Sequence, residues 1–282
     1  MSPVAATAVR TVEVMRFQGE TPRASQALNG FLNAAGGEGF RASVTREYAG
    51  GADWLLLWGP GAPNRFEPMR AQVAAGGHVA ALDLAYWRRQ EKVRVSIDAA
   101  HPQAYVLRHT WPEGRLALDK VPIEDSWDPD GPVIVAGIGR KAGVQYGAGA
   151  VLAWEAQMID ACRLRWPDRP VLYRRKQTDA PFPDRAIQET SAAIPIDVAL
   201  RGCSLVVTWH SNVAVDAIRM GIPVVCRDGA ASAVCPQALG ELDPRPLLDA
   251  CRRAFLANLA WFQWDPTSEA SAFWRFLREV VA

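Results

Sequence analysis

The sequence has no Cys-x-x-Cys pair, no closely spaced histidines and no apolar run of membrane length. Each of these absences bears on a class of protein. Its five cysteines (Cys162, Cys203, Cys226, Cys235, Cys251) are odd in number, and Cys162, Cys203 and Cys226 fall within apolar patterns. They speak against a disulfide framework and for buried, reduced thiols in a cytoplasmic protein. The four histidines (His78, His101, His109, His210) never stand three or four apart on an expected helix, so no metal site is expected. The apolar runs are strand-sized, far below the roughly 20 residues of a membrane span, and no stable membrane insertion is expected. No basic segment followed by an apolar core opens the chain, which reads against a signal peptide. The formal net charge of +1 gives no overall hold on nucleic acid or anionic lipid. No internal repeat or low-complexity tract interrupts the pattern.

What is present is an ordinary soluble composition, 49% hydrophobic and 22% charged, in a chain of 282 residues. That length predicts two domains of about 130 residues each. Short apolar runs alternate with helical stretches, the signature of parallel sheets. In the first half the expected strands are Val12–Phe17, Ala42–Tyr48, Trp54–Trp58, His78–Asp83, Val93–Ile97 and Tyr105–Leu107. The expected helices Ser25–Ala35 and Arg65–Ala75 each end at a Gly-Gly stop. The stretch "VPIEDSWDPDGP", Val121–Pro132, is polar and aperiodic and reads as a linker. Beyond it the plan restarts with strands Val133–Ala136, Val171–Tyr173, Leu205–Thr208 and Pro223–Cys226 and helices Val151–Arg165, Ile196–Arg201 and Val213–Met220. The expected domains are therefore 1–122 and 131–245, both Rossmann-like α/β units, followed by a helical, aromatic-rich tail, 246–282.

Two constellations carry chemistry. In "VVTWHSNVAVDAIRMGIPVV", Val206–Val225, a strand hands the chain to a helix through His210-Ser211-Asn212. Small polar residues there aim backbone N–H groups and the positive end of a helix at one spot, an arrangement that suits an anion. Ser211 and Asn212 either cap those donors or bond a phosphate directly. Asp216 lies four residues after Asn212, on the same face one turn deeper, where a carboxylate meets sugar hydroxyls better than phosphate. The pairing predicts a nucleotide, with its diphosphate at the turn and its ribose on the acid.

The second constellation is "PVIVAGIGRKAGVQYG", in which Gly137, Gly139 and Gly143 follow a strand and Arg140 and Lys141 add charge. It approximates a dinucleotide fingerprint, but the next strand ends in Arg174-Arg175-Lys176 instead of an acid. A basic end suits the 2′-phosphate of NADP, so an NADP-dependent oxidoreductase competes, as does a catalytically silent nucleotide-binding protein. Basic loops and a helix start at the C-terminal ends of one sheet's strands converge on one crevice, which favours a phosphorylated ligand.

The run "TWHSNVAVDAIRMGIPVV", with "RPVLYRRK" before it, resembles the nucleotide-sugar signature of GT-B glycosyltransferases, especially the bacterial capsule and Kdo-transferase-like branch. The resemblance spans Val133–Cys226 and implies two Rossmann-like domains facing across a cleft, with the tail 246–282 crossing back to the first, a nucleotide-sugar donor as substrate, no cofactor, and the roles derived above for Ser211, Asn212 and Asp216. The usual acid is Glu, one methylene longer than Asp216. On this reading Gly139, Arg140, Lys141, Arg174 and Lys176 join the His210–Asn212 turn on the donor. They neutralise the leaving diphosphate without a metal. The first domain then holds the acceptor, a glycan or a hydroxymethylated base of viral DNA. Asp83, Asp98 and His101, at or just past strand ends, are the candidate bases.

Overall fold

The computed structural model describes residues 10–138, 146–176, 188–190, 193–241 and 245–282. Packing divides the chain into two units. One takes in the described part of Met1–Pro60 with Asn64–Ala100 and Phe262–Ala282; the other takes in Gly61–Pro63 and His101–Trp261. Both are α/β. Among the described residues, no helix is long and apolar enough to cross a membrane.

In the first unit, β1 (Arg10–Met15), β2 (Phe40–Thr45), β3 (Trp54–Trp58) and β4 (His78–Leu84) are parallel neighbours. Helix α1 (Pro22–Ala35) begins where Thr21 Oγ1 accepts the Ala24 N–H at 3.2 Å and Pro22 sets the first turn. It runs on through a 3-10 turn, Gly36–Glu38, and the reversal falls at Gly39, whose φ of 78° is left-handed. The stop therefore lies beyond the Gly36-Gly37 pair. The other stop holds: α2 (Pro63–Ala74) ends at Gly76, φ 82°. Strand β5 (Val93–Ile97) departs from the expected all-parallel pattern by running antiparallel to β4. The Ala85–Lys92 connection is too short for the crossover that a parallel pair requires.

The second unit has the four-stranded parallel sheet β7-β6-β8-β9, formed by β6 (Val133–Ala136), β7 (Val171–Arg174), β8 (Leu205–Thr208) and β9 (Val224–Cys226). Helix α4 (Ala148–Arg165) lays Val151, Trp154, Ile159 and Cys162 against this sheet. Shorter helices are α3 (Gly114–Leu118), α5 (Ile196–Leu200) and α6 (Val213–Arg219). Residues Tyr105–Leu107 are not a strand. Pro102 opens a 3-10 turn, Pro102–Ala104, and its carbonyl takes the N–H groups of Tyr105 and Val106, both at 2.9 Å. The Val121–Pro132 stretch is tied along the second unit: Glu124 N–H donates to Arg219 O and Ser126 N–H to Met220 O, both at 3.0 Å. The chain instead passes between units after Ala100 and again after Trp261.

The tail divides. Helix α7 (Asp249–Ala260) stays with the second unit, while β10 (Gln263–Trp264) and α8 (Ala270–Val280) belong to the first. Strand β10 extends the first sheet antiparallel to β5, giving the order β10-β5-β4-β3-β1-β2.

Four of the cysteines are buried and Cys251, on α7, is exposed. Burial pushes the thiol pKa of Cys162 and of Cys235 up to about 12 and of Cys203 to about 11, and that of Cys226 also rises. Thiolate is the reactive form. Iodoacetamide at pH 8 is therefore expected to modify Cys251 in the native protein and the other cysteines only after unfolding. Mass spectrometry of the native adducts reads this directly, and rapid labelling at Cys162 or Cys226 would contradict the packing.

Candidate functional site

In the second sheet, β6 has β7 on one side and β8 on the other, so the order reverses between β6 and β8. Such a switch point leaves a crevice beyond the C-terminal ends of the strands, and ligands bind there in open α/β sheets. The register sets those ends level: Ala136 pairs with Arg174 and with Thr208, and Thr208 pairs with Cys226. Four segments therefore emerge together: Gly137-Ile138, Arg174–Lys176, Trp209–Asn212 and Arg227–Gly229.

Fully buried Thr208 organises the turn after β8. Its Oγ1 donates to Ala136 O at 2.8 Å and accepts the Ser211 N–H at 3.3 Å. Ser211 Oγ accepts the Val213 N–H at 3.4 Å, whereas Asn212, at the cap position, makes no side-chain cap bond. Ser211 thus caps the helix. Helix α6 has only 7 residues, so its dipole is modest. His210, Ser211, Asn212 and Asp216 are all partly buried, with Asp216 one turn into α6.

The basic run after β7 is not uniform. Arg174 is partly buried, and desolvation lowers its pKa from the ordinary arginine value. Its Nη2 donates to Ile194 O at 2.6 Å. Arg175 Nε pairs with Glu189 at 3.0 Å, and Lys176 is exposed. Gly139, Arg140 and Lys141, with Gly143, lie outside the described residues.

Two groups at this edge escaped the reading of the sequence. Glu155 on α4 is 2% exposed; its Oε1 accepts the Ile138 N–H at 3.1 Å and its Oε2 the Tyr173 hydroxyl at 2.8 Å. A Cβ on Gly137 would stand 2.3 Å from that hydroxyl, so the start of the glycine-rich loop needs glycine there. The available signal was position: Glu155 follows Val151 by four on the buried stripe of α4, where a carboxylate needs partners. The second group centres on Asp228, just past β9. Its Oδ2 accepts the Tyr146 hydroxyl at 2.6 Å, and its Oδ1 accepts the Gln103 amide at 2.8 Å and the Gly229 N–H at 2.7 Å. Burial, and then the bond to Asp228, raise the Tyr146 pKa. The Tyr146 ring lies 5.7 Å from that of His210 and 4.9 Å from Trp209. The strand-end rule applied to Asp83 and Asp98 applied equally to Asp228.

The three candidate bases are dispersed. Asp83, near the C-terminal end of β4, binds Arg94 Nη2 at 2.9 Å through Oδ2 and the Leu84 N–H at 2.8 Å through Oδ1. Asp98 follows the antiparallel β5 and so lies at the opposite edge of that sheet, beside the start of β4. There it accepts the Val79 N–H at 2.7 Å and meets His78 Nδ1 at 3.0 Å. His101 belongs to the second unit, is buried, and has its ring 5.0 Å from that of His210. Of the three, His101 is the one packed with the turn after β8.

No family model matches the chain, nor does any curated protein sequence. Among solved structures it is similar to "KpsC, beta Kdo 2,4 transferase" of Thermosulfurimonas dismutans, at 12% identity and a TM-score of 0.57, over 95% of this chain and 98% of that one. The same organism's "KpsC, beta Kdo 2,7 transferase" gives 11% identity and a TM-score of 0.55, over 97% of this chain and 100% of that one. At such identities the likeness is one of fold. The chain has a GT-B type of α/β fold.

Proposed function

We propose that the chain transfers a glycosyl group from a nucleotide-sugar donor to an acceptor hydroxyl, on a glycan or a hydroxymethylated DNA base, in the cytoplasm. The observation that carries this reading is the switch point of the second sheet. There the His210-Ser211-Asn212 turn, with Asp216 one turn deeper, stands level with the Arg174–Lys176 run.

In the proposed mechanism the donor's phosphates lie at the Ser211–Asn212 turn. The Arg174 guanidinium and the Lys176 ammonium, with Gly139, Arg140 and Lys141 of the glycine-rich loop, stabilise the charge that grows as the glycosidic bond breaks. Arg174, anchored on Ile194 O, is in place before the reaction, so little reorganisation opposes it. Asp216 accepts the ribose hydroxyls. The fold of the two similar transferases supports this reading.

Thermal-shift and calorimetric titration with UDP, GDP, CMP and TDP, against NADP, test it. At least one nucleoside phosphate of the first set is expected to bind; binding of NADP alone would remove the transferase reading. Asp216→Ala is expected to weaken the bound nucleotide by about 1.5–3 kcal/mol, the scale of a hydrogen bond to a charged group, with little change in fold stability. Equal affinity in variant and parent would separate Asp216 from the ligand.

A further inference from the structure

The first unit has a switch point of its own. Strand β1 lies between β2, which follows it in the chain, and β3, so the order reverses between β1 and β3. The crevice of such a sheet opens past the C-terminal ends of those two strands. In their register Val14 pairs with Leu56, and continuing it brings Phe17 opposite Gly59. One side chain meets both: Arg65, from the first turn of α2.

Two contacts fix its guanidinium. The central carbon lies 4.6 Å from the centre of the Phe17 ring, and Nη1 donates to Gly59 O at 3.0 Å. A Cβ on Gly59 would stand 2.7 Å from Nη1, and the φ of 70° there is left-handed, so glycine gives the arginine its seat. The loop that carries Phe17 is itself held, its N–H donating to Glu20 Oε1 at 2.8 Å.

The charge of Arg65 has no ion-pair partner among the described residues. Glu20 and Asp83 act on it from a distance, but each is taken by another arginine. Glu20 meets Arg16 at 2.8 Å, and Asp83 meets Arg94 at 2.9 Å. Partial burial lowers the Arg65 pKa from the ordinary arginine value, yet a guanidinium keeps its proton at neutral pH. Its Nε is enclosed without an acceptor, whereas Nη2 makes no hydrogen bond and stays open to solvent. Nη2 is thus the group that a ligand reaches.

We propose that the first unit binds an oxyanion, a carboxylate or a phosphate ester, at Nη2 of Arg65 where it sits on Phe17 and Gly59. A planar guanidinium already held in place loses little freedom on meeting such a group. Its partial desolvation strengthens the charge-assisted bond. The site stands on the first unit alone and goes beyond the nucleotide reading of the second.

NMR titration of the ¹⁵N-labelled full chain tests this with inorganic phosphate, glucose 6-phosphate and glucuronate, and with glucose as the neutral control. The sheltered Arg65 Nε–H and the Gly59 amide are expected to shift with at least one of the anions and to stay in place with glucose. A response to the phosphates alone, or to glucuronate alone, names the group. Arg65→Gln keeps a donor for Gly59 O but no charge, and is expected to weaken the anion about tenfold or more, read at the Gly59 amide. Arg65→Lys takes its place if the Gln variant does not fold; it keeps the charge but loses the flat fit on Phe17, so a smaller loss is expected. Unchanged anion affinity in the folded variant overturns the proposal. So does a parent in which no anion shifts these resonances, or in which glucose shifts them equally.

Discussion

His101→Ala is expected to lower turnover by about 10²-fold or more, the usual contribution of a positioned proton acceptor, while nucleotide affinity stays within about twofold of the parent. The choice among the three candidates turns on which group lies beside the turn after β8. Asp83 has Arg94 on one oxygen and the Leu84 N–H on the other, and Asp98 is similarly held by His78 and the Val79 N–H. Carboxylates so engaged serve their own sheet. His101 is instead in ring contact with His210, the residue that precedes Ser211. The companion variants make the test sharp. Asp83→Asn and Asp98→Asn are expected to retain turnover and to lose stability. For Asp83 the loss is about 1–3 kcal/mol, because the 3%-exposed Arg94 is left without its carboxylate. An inactive Asp83→Asn beside an active His101→Ala would return the base to the end of β4. Full activity in all three would mean that transfer takes no proton acceptor from these residues, as a retaining mechanism allows.

The sequence made the parallel core of each unit legible because strands buried on both faces read as apolar runs. "VIVA" at Val133–Ala136 and "LVVT" at Leu205–Thr208 are buried at every position. The strand direction of Val93–Ile97 was missed, although the alternation of Val93, Val95 and Ile97 with Arg94 and Ser96 and the short connection before it both fit an antiparallel strand. That one reversal puts Asp98 at the opposite sheet edge from Asp83. The stretch Val121–Pro132 shows a second limit of composition. Its lack of periodicity is real, but backbone bonds to Arg219 and Met220 hold it, and those depend on residues about a hundred positions away. At the site, the turn after β8 was visible because its polar residues are contiguous. The Asp228 group was not, since Gln103, Tyr146 and Asp228 come from separate segments and nothing local marks them as partners.

Trp274→Ala is expected to destabilise the first unit by about 3–5 kcal/mol, a large share of the 5–15 kcal/mol that holds a typical domain folded. The tail residues from Phe262 onward complete that unit's core. Phe262, Trp264, Phe273 and Phe276 are each no more than 2% exposed, and Trp274 is fully buried. The Trp274 ring lies 4.6 Å from Phe40 and 5.2 Å from Phe273, and its Nε1 donates to Phe31 O at 2.8 Å. The substitution therefore leaves a cavity and takes a donor from the Phe31 carbonyl in the last turns of α1. Trp274→Phe keeps most of the packing and removes the donor, so its cost is expected to be smaller, about 1–3 kcal/mol. Gly30→Ala probes the same junction from the other side, because its Cβ would stand 2.2 Å from Pro266 O. Urea unfolding followed by tryptophan fluorescence gives the stabilities, and nucleotide binding without denaturant reports on the second unit, where affinity is expected to hold. If Trp274→Ala unfolds within about 0.5 kcal/mol of the parent, the shift expected of a neutral surface change, then the tail is not part of the first core.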